Sequence, residues 1–453
     1  MTTENLFRRT EQKAATEALA AAAVSLRDEA LPPVLAGRCR LVLTDLWAVT
    51  LRGARTPELQ QLARTAPGPT GSTRTVGSTV STTPEGAGFL DAVASCCLEL
   101  DEGNKYAAGH PAAHVVFAAM AAARVAGRPV DGATFLAAVV AGYEVAARFG
   151  RASHRDPRWH PHGHWGATGA ATAAALVLGA REGQVAAAID AATSLVQVTP
   201  WQVVLEGGFA RNLWMAGANR AGLEAARLSV AGLVSNDGAA QHSLGDLVGS
   251  LDPQGLTAGL GSEWLVLQGY AKQHSSCSYT HAVVDAVQAI RHGADWTADD
   301  VTEVVVRTHR LAEPLLETEP DNRLGAMFSL PFVTAMSLVS DAVDPDAMDP
   351  GGERFARARD LRDRINVQLS PELDELLPGR RAAEVEVHLR DGTSIGLGVP
   401  NPVGDVDHLP FGEAEILEKS RRLVGADDTA RIAQVVKTVA GCDDVVRALD
   451  LLP

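Results

Sequence analysis

Four stretches of the chain concentrate residue types that can move protons or hold anions. The first runs Glu99-Leu-Asp101-Glu-Gly-Asn104-Lys-Tyr-Ala-Ala-Gly-His110-Pro. Carboxylates precede a histidine, and Pro111 suits the first turn of a helix. Backbone N–H groups at such a helix start favour anions and lower a histidine's proton affinity, which suits a general base. A plain capping role for His110 stays open on spacing alone. The second stretch, His154-Arg-Asp-Pro-Arg-Trp-His160-Pro-His162-Gly-His164-Trp, carries an HxHxH pattern. That pattern invites a zinc site, which takes three or four ligands with supporting partners. Pro161 and Gly163 argue instead for a turning loop that scatters the imidazoles, so no metal is expected.

The third stretch is Arg211-Asn-Leu-Trp-Met-Ala-Gly-Ala-Asn-Arg220-Ala-Gly. Arg220 sits among small residues, where a cation can approach the interior. Arg211 lies about two and a half turns away and falls on the opposite side if one helix holds both. A surface ion pair is the plain alternative for either arginine. The fourth, Lys272-Gln-His274-Ser-Ser-Cys277-Ser-Tyr-Thr-His281, is an extended polar segment where the composition changes. Small-molecule clefts form preferentially at such boundaries. Cys277 and His281 suggest a thiol nucleophile, but no acidic orienting partner accompanies them, and a buried cysteine is more often inert.

Composition bounds what these stretches can serve. The 453 residues carry 40 Lys and Arg against 55 Asp and Glu, a net charge of −15. With no basic block, nucleic acid is not an expected partner; a small anion needs a local cluster of cations. Hydrophobic residues make up 46% and charged ones 21%, a globular balance. The five cysteines (Cys39, Cys96, Cys97, Cys277, Cys442) are odd in number and lack CxxC spacing. They point to a reducing cytoplasm without structural zinc. Arg8-Arg9 has no apolar segment behind it, so no signal peptide is expected. The apolar stretches are interrupted by charge or glycine, so no membrane span is expected either.

The elements that must position these residues read as mainly α with a second, α+β domain. Helices are expected at 11–24, up to Gly53, at 85–98, from His110 to Gly127, from an Asp131 cap to Phe149, and at 166–178. The stretch from Thr56 to Pro84 is rich in Pro, Gly, Ser and Thr and reads as loop. The helix after Gly166 is nearly all small residues, which places it at the centre of a bundle. Strands are expected at 301–306 and 365–369, with a hairpin at 384–399 turning on Asp391-Gly392. Between them, Val283, Val287 and Ile290 mark a helix. The domains read as a helical part over 1–268, an α+β lid over 269–402, and a helical return over 403–453.

Taken together and in this order, the four stretches resemble the MmgE/PrpD family, which includes 2-methylcitrate dehydratase, cis-aconitate decarboxylase and iminodisuccinate epimerase. Further pieces carry the resemblance: Leu43-Thr-Asp45-Leu-Trp-Ala, Thr83-Pro-Glu-Gly-Ala, Gly142-Tyr-Glu-Val-Ala-Ala-Arg148, Phe328-Ser-Leu-Pro-Phe332, Pro402-Val-Gly-Asp405 and Lys419. Residues 290–400 match least. The resemblance implies a helical domain, a smaller α+β lid and an active site in the cleft between them. It also implies a homodimer, no metal or organic cofactor, and small di- or tricarboxylate substrates. The family's acid/base histidines fall on His110 and His160, and its acidic residue on Asp101, or alternatively Glu99. Its helical cation falls on Arg220 and its lid lysine on Lys272. Asn104 or Gly103 stands where the family has a threonine, and Asn104 and His164 join the expected substrate contacts.

The departures redirect the expected chemistry. Cys277 stands where decarboxylase-like members have a histidine, and Phe332 where they have a tyrosine. Losing two proton-handling groups weakens decarboxylation, while a thiol at 277 could serve as the second base of an epimerase. The expected function is a cofactor-free lyase, a dehydratase of a small hydroxy-polycarboxylate. Its alternatives are an isomerase or epimerase, a decarboxylase on a similar acid, or a catalytically inactive member acting as a binding protein.

Overall fold

Alanine-rich sequence with proline at helix starts yields a bundle. A computed structural model describes residues 3–65 and 71–453. Its long helices are Thr3–Asp28, Pro33–Ala54, Pro84–Cys96, Pro111–Val125, Gly132–Ala152, Gly166–Val177, Glu182–Thr193 and Arg211–Val230. Thr83 and Asp131 cap their helices by accepting the N–H groups of Gly86 and Thr134. Every residue of Gly166–Val177 is buried, and this helix packs against Pro111–Val125, Gly132–Ala152, Glu182–Thr193 and Arg211–Val230. Glycine makes that centre possible. A Cβ at Gly169 would lie 2.3 Å from the Gly142 carbonyl oxygen, and one at Gly222 would lie 2.5 Å from the Ala171 nitrogen.

A second hydrophobic cluster gathers residues between Cys277 and Leu389, with Val204 and Trp214 joining from the bundle. Its sheet runs in the order Ser394–Val399, Ala383–Leu389, Val301–Thr308, Ile365–Leu369. The first three strands are antiparallel and the last pairs parallel with Val301–Thr308. Val385, Val387 and Leu389 alternate inward, toward the helix His281–Arg291 that covers one face. The helices Glu413–Val424 and Ala426–Val439 return to pack on Pro33–Ala54. The architecture is mainly α with an α+β part, as expected.

Three expectations need correction. The loop expected from Thr56 to Pro84 opens with a helix, Pro57–Thr65, anchored by buried Leu59; residues 66–70 of that stretch lie outside the described residues. Thr56 followed by Pro57 is a cap and first-turn proline, outweighing the turn-rich composition after it. Gly150 does not end its helix, which continues to Ala152. A Cβ there would lie 2.8 Å from the Ala107 carbonyl oxygen, so this glycine serves a close approach. Finally, Gly132–Ala152 is long and apolar enough to cross a membrane, but 89% of its most apolar window is buried in the bundle, as in a core helix.

Two glycine substitutions separate packing from helix propensity. Gly169→Ala is expected to destabilise by about 1–3 kcal/mol through overpacking. Gly183→Ala, with nothing within 4 Å of the new Cβ, is expected to stabilise by up to about 1 kcal/mol. Denaturant unfolding of both variants measures the two signs.

Candidate active site

The loop from Glu99 to His110 is held in a conformation most residues avoid. Glu99 and Ala108 have φ of 53° and 52°, a left-handed geometry that costs free energy and persists only when surroundings enforce it. Asn104 enforces part of it. Its Oδ1 accepts the N–H groups of Tyr106 and Ala107 at 3.0 and 3.1 Å, and its Nδ2 donates to the Leu265 carbonyl at 2.8 Å. His110 thereby sits at the start of Pro111–Val125. Its Nδ1 lies 2.7 Å from the Glu102 carbonyl oxygen and 3.2 Å from Asp101 Oδ2. Both are acceptors, so Nδ1 carries the proton and Nε2 is left as the basic nitrogen.

His160 has the opposite tautomer. Its Nδ1 accepts the N–H of His162 at 3.2 Å, so in the neutral ring the proton is on Nε2. The ring meets Trp201 edge-on with centroids 4.5 Å apart. His162 stands between the two histidines, its centroid 4.3 Å from that of His160 and 4.8 Å from that of His110. Burial pushes His110 below its ordinary value, and Asp101 opposes this without reversing it. Burial, then Arg211, push His160 and His162 well below theirs. All three are neutral near pH 7.

Charge beneath these rings is organised by Glu99, which pairs with Arg211 and lies 3.2 Å from Lys272 Nζ. Burial pushes the Glu99 carboxyl up, but Arg211 and Lys272 together bring it below the usual value. Residues of the bundle and of the α+β part together line a cavity of about 320 Å³. Glu99 is the lone carboxylate on its wall, among the described residues, against Lys105, Arg151, Arg155, Arg211, Arg310 and Arg381. The wall of a −15 protein thus offers guanidinium and ammonium groups to an anion, although most of them are themselves paired with carboxylates behind it.

Of the residues expected from sequence, His110, His160 and Cys277 reach this wall. Burial pushes the Cys277 thiol up to about 11, making it a proton donor rather than a resting base. Asp101 is fully buried behind His110. The substrate contacts need correction. Arg220 is exposed, because the buried stripe of its helix runs through Arg211, Trp214, Ala218 and Ala221, and Arg220 lies on the other side. Lys272 is fully buried and acts through Glu99, not at the wall. Asn104 borders the cavity, but its amide is committed to backbone groups. His164 turns away, Nε2 lying 2.7 Å from Thr199 Oγ1 and 3.0 Å from the Gln197 carbonyl. Phe332 packs in the lid core, 4.6 Å centroid to centroid from Phe355, so its lack of a hydroxyl leaves the cavity unchanged. Among the described residues no three His, Cys, Asp or Glu converge as a metal site.

Sequence reasoning missed Arg155, Arg381, Lys105 and Tyr279, and passed over Arg211. The half-turn offset between Arg211 and Arg220 was the available signal. Arg155 sat unremarked inside the histidine stretch, and Lys105 and Arg381 meet only through Asp405, at 2.8 and 3.2 Å.

Two family models together span most of the chain. The model of the MmgE/PrpD N-terminal domain matches residues 17–248, and that of the MmgE/PrpD C-terminal domain matches residues 274–440. A cis-aconitate decarboxylase of Aspergillus terreus is 24% identical over 95% of this chain and 94% of its own. A cis-aconitate decarboxylase-like protein, oryM, of Aspergillus oryzae is 25% identical over 94% of each.

Glu99→Gln strands two buried cations and is expected to cost about 3–5 kcal/mol of stability, measured by denaturant unfolding at pH 7. Arg220→Ala is expected to stay within about 0.5 kcal/mol of the parent. A comparable loss in both variants would contradict the charge arrangement.

Proposed function

Because the chain belongs to the MmgE/PrpD family, we propose that this cavity is the active site of a lyase acting on a small polycarboxylate, most simply a dehydratase. The observation that carries the reading is the tautomer of His110, whose Nδ1 is held by the Glu102 carbonyl while Nε2 remains basic at the cavity wall. A substrate carboxylate lies against Arg211. His110 Nε2 takes the proton from the carbon alpha to it, and the charge that develops on the carboxylate is stabilised by the guanidinium. The electrons of the C–H bond form the double bond, and the C–O bond on the next carbon breaks. His160 Nε2–H hydrogen-bonds to the departing hydroxyl and stays on the ring. The proton taken by His110 passes to the hydroxyl, which leaves as water, so both rings end neutral.

Decarboxylation is the second reading, favoured by the protonated thiol of Cys277 on the same wall. After carbon dioxide leaves, the thiol can protonate the carbanion. The names of the two Aspergillus relatives lend this reading support. Epimerisation has less support: His110 as base and the Cys277 thiol as acid serve one direction, but the reverse needs a thiolate, which burial disfavours.

Incubation with hydroxy-polycarboxylates and with cis-aconitate in heavy water, followed by NMR, distinguishes loss of water from loss of carbon dioxide with deuteron uptake. His110→Gln is expected to lower kcat/KM about 10²–10⁴-fold with little change in Tm. The base is active when neutral and its proton affinity is lowered, so activity falls only as pH drops below the ordinary histidine value of about 6.5. Full activity in His110→Gln, or an acid limb above that value, would contradict the assignment.

A further inference from the structure

Five of the six cations on the cavity wall already hold a carboxylate. Lys105 is 2.8 Å from Asp405 and 2.6 Å from Asp407, and Arg381 is 3.2 Å from Asp405. Arg151 is 2.9 Å from Glu263, Arg310 is 3.9 Å from Asp374, and Arg211 pairs with Glu99. Arg155 is the sixth. Among the described residues it has no carboxylate partner, and its hydrogen bond runs from Nε to the Trp159 carbonyl at 3.0 Å.

Its setting is that of a built contact. Arg155 ends the strand Ser153–Arg155, which pairs with Gly249–Leu251 and gives the side chain a fixed base. The Trp159 bond commits Nε and leaves the two terminal nitrogens, the fork that matches a carboxylate with two parallel hydrogen bonds. The residue is half-buried at the wall, where an unpaired cation is costly unless a ligand neutralises it. The pairs around Asp405, Glu263 and Asp374 leave no excess of positive charge. Glu99 and Asp101 together offset Arg211 and Lys272, so Arg155 supplies the unpaired positive unit. His160 lies within the field of both Arg211 and Arg155.

We propose that Arg155 binds a second carboxylate of the substrate, away from the one held at Arg211, so that the site selects dianionic or larger acids over monoanions. This rests on the reading of the cavity as a carboxylate site given above. The test uses matched probes on the full chain: succinate against succinamate, and glutarate against glutaramate, each pair equal in length and differing by one charge. Calorimetry or ligand-observed NMR gives the affinities for the parent, Arg155→Gln and Arg155→Lys.

The parent is expected to prefer the dianion at least about 10-fold in one pair, the size of a charge-assisted bidentate contact. Arg155→Gln is expected to bind both members of that pair alike while keeping the parent's affinity for the amide, which also shows that it is folded. Arg155→Lys keeps the charge without the fork and falls between. A preference that survives in Arg155→Gln, or is lacking in the parent, overturns the role of Arg155. A parent that binds none of the four probes overturns the carboxylate reading of the cavity, and this inference with it.

Discussion

Glu99 is a carboxylate almost wholly removed from water, and the site is arranged around how its charge is met. Its partners come from distant parts of the chain: Arg211 opens a bundle helix and Lys272 lies in the connection to the lid. Taking such charges out of water costs several kcal/mol per ion, so the cluster is a weak source of net stability. Its effect is on geometry. The three groups find partners only if the loop after Pro84–Cys96, the start of Arg211–Val230 and the first lid segment meet in one arrangement. The left-handed backbone at Glu99 is affordable in that setting because two cations and the Asn104 turn hold the loop on either side.

The same cluster governs the imidazoles above it. Burial is what chiefly keeps His160 and His162 neutral, and the Arg211 guanidinium adds to it. A neutral ring can serve at pH 7 as a base or as a hydrogen-bond donor, provided its proton is on the useful nitrogen. Backbone groups make that choice: the Glu102 carbonyl takes the proton of His110 Nδ1, and the N–H of His162 occupies His160 Nδ1. The result is one ring that can accept a proton at Nε2 and one that can donate a hydrogen bond from it.

Much of the fold was legible in the sequence because its signals are local. Proline at Pro111, the Asp131 cap and the Asp391-Gly392 turn each act within a few residues. His110 and His160 were legible for a related reason, since a histidine at a helix start or in a tight loop has few positions to take. The cations were not. Whether Arg211 or Arg220 faces inward depends on which stripe of the helix packs against Gly166–Val177 and Pro111–Val125, a tertiary matter that spacing leaves open. Lys272 was read as a substrate contact, but it is fully buried and paired with Glu99, away from the cavity wall. Phe332 and His164 misled because adjacency to a motif does not say which way a side chain turns.

The most direct test of the central claim is ¹⁵N NMR of the histidine rings in protein labelled at histidine, with His110→Gln and His160→Gln used to assign the signals. At pH 7 His110 should be neutral with its proton on Nδ1, and His160 neutral with its proton on Nε2. An imidazolium at either position at that pH, or both rings in the same tautomer, would contradict the account.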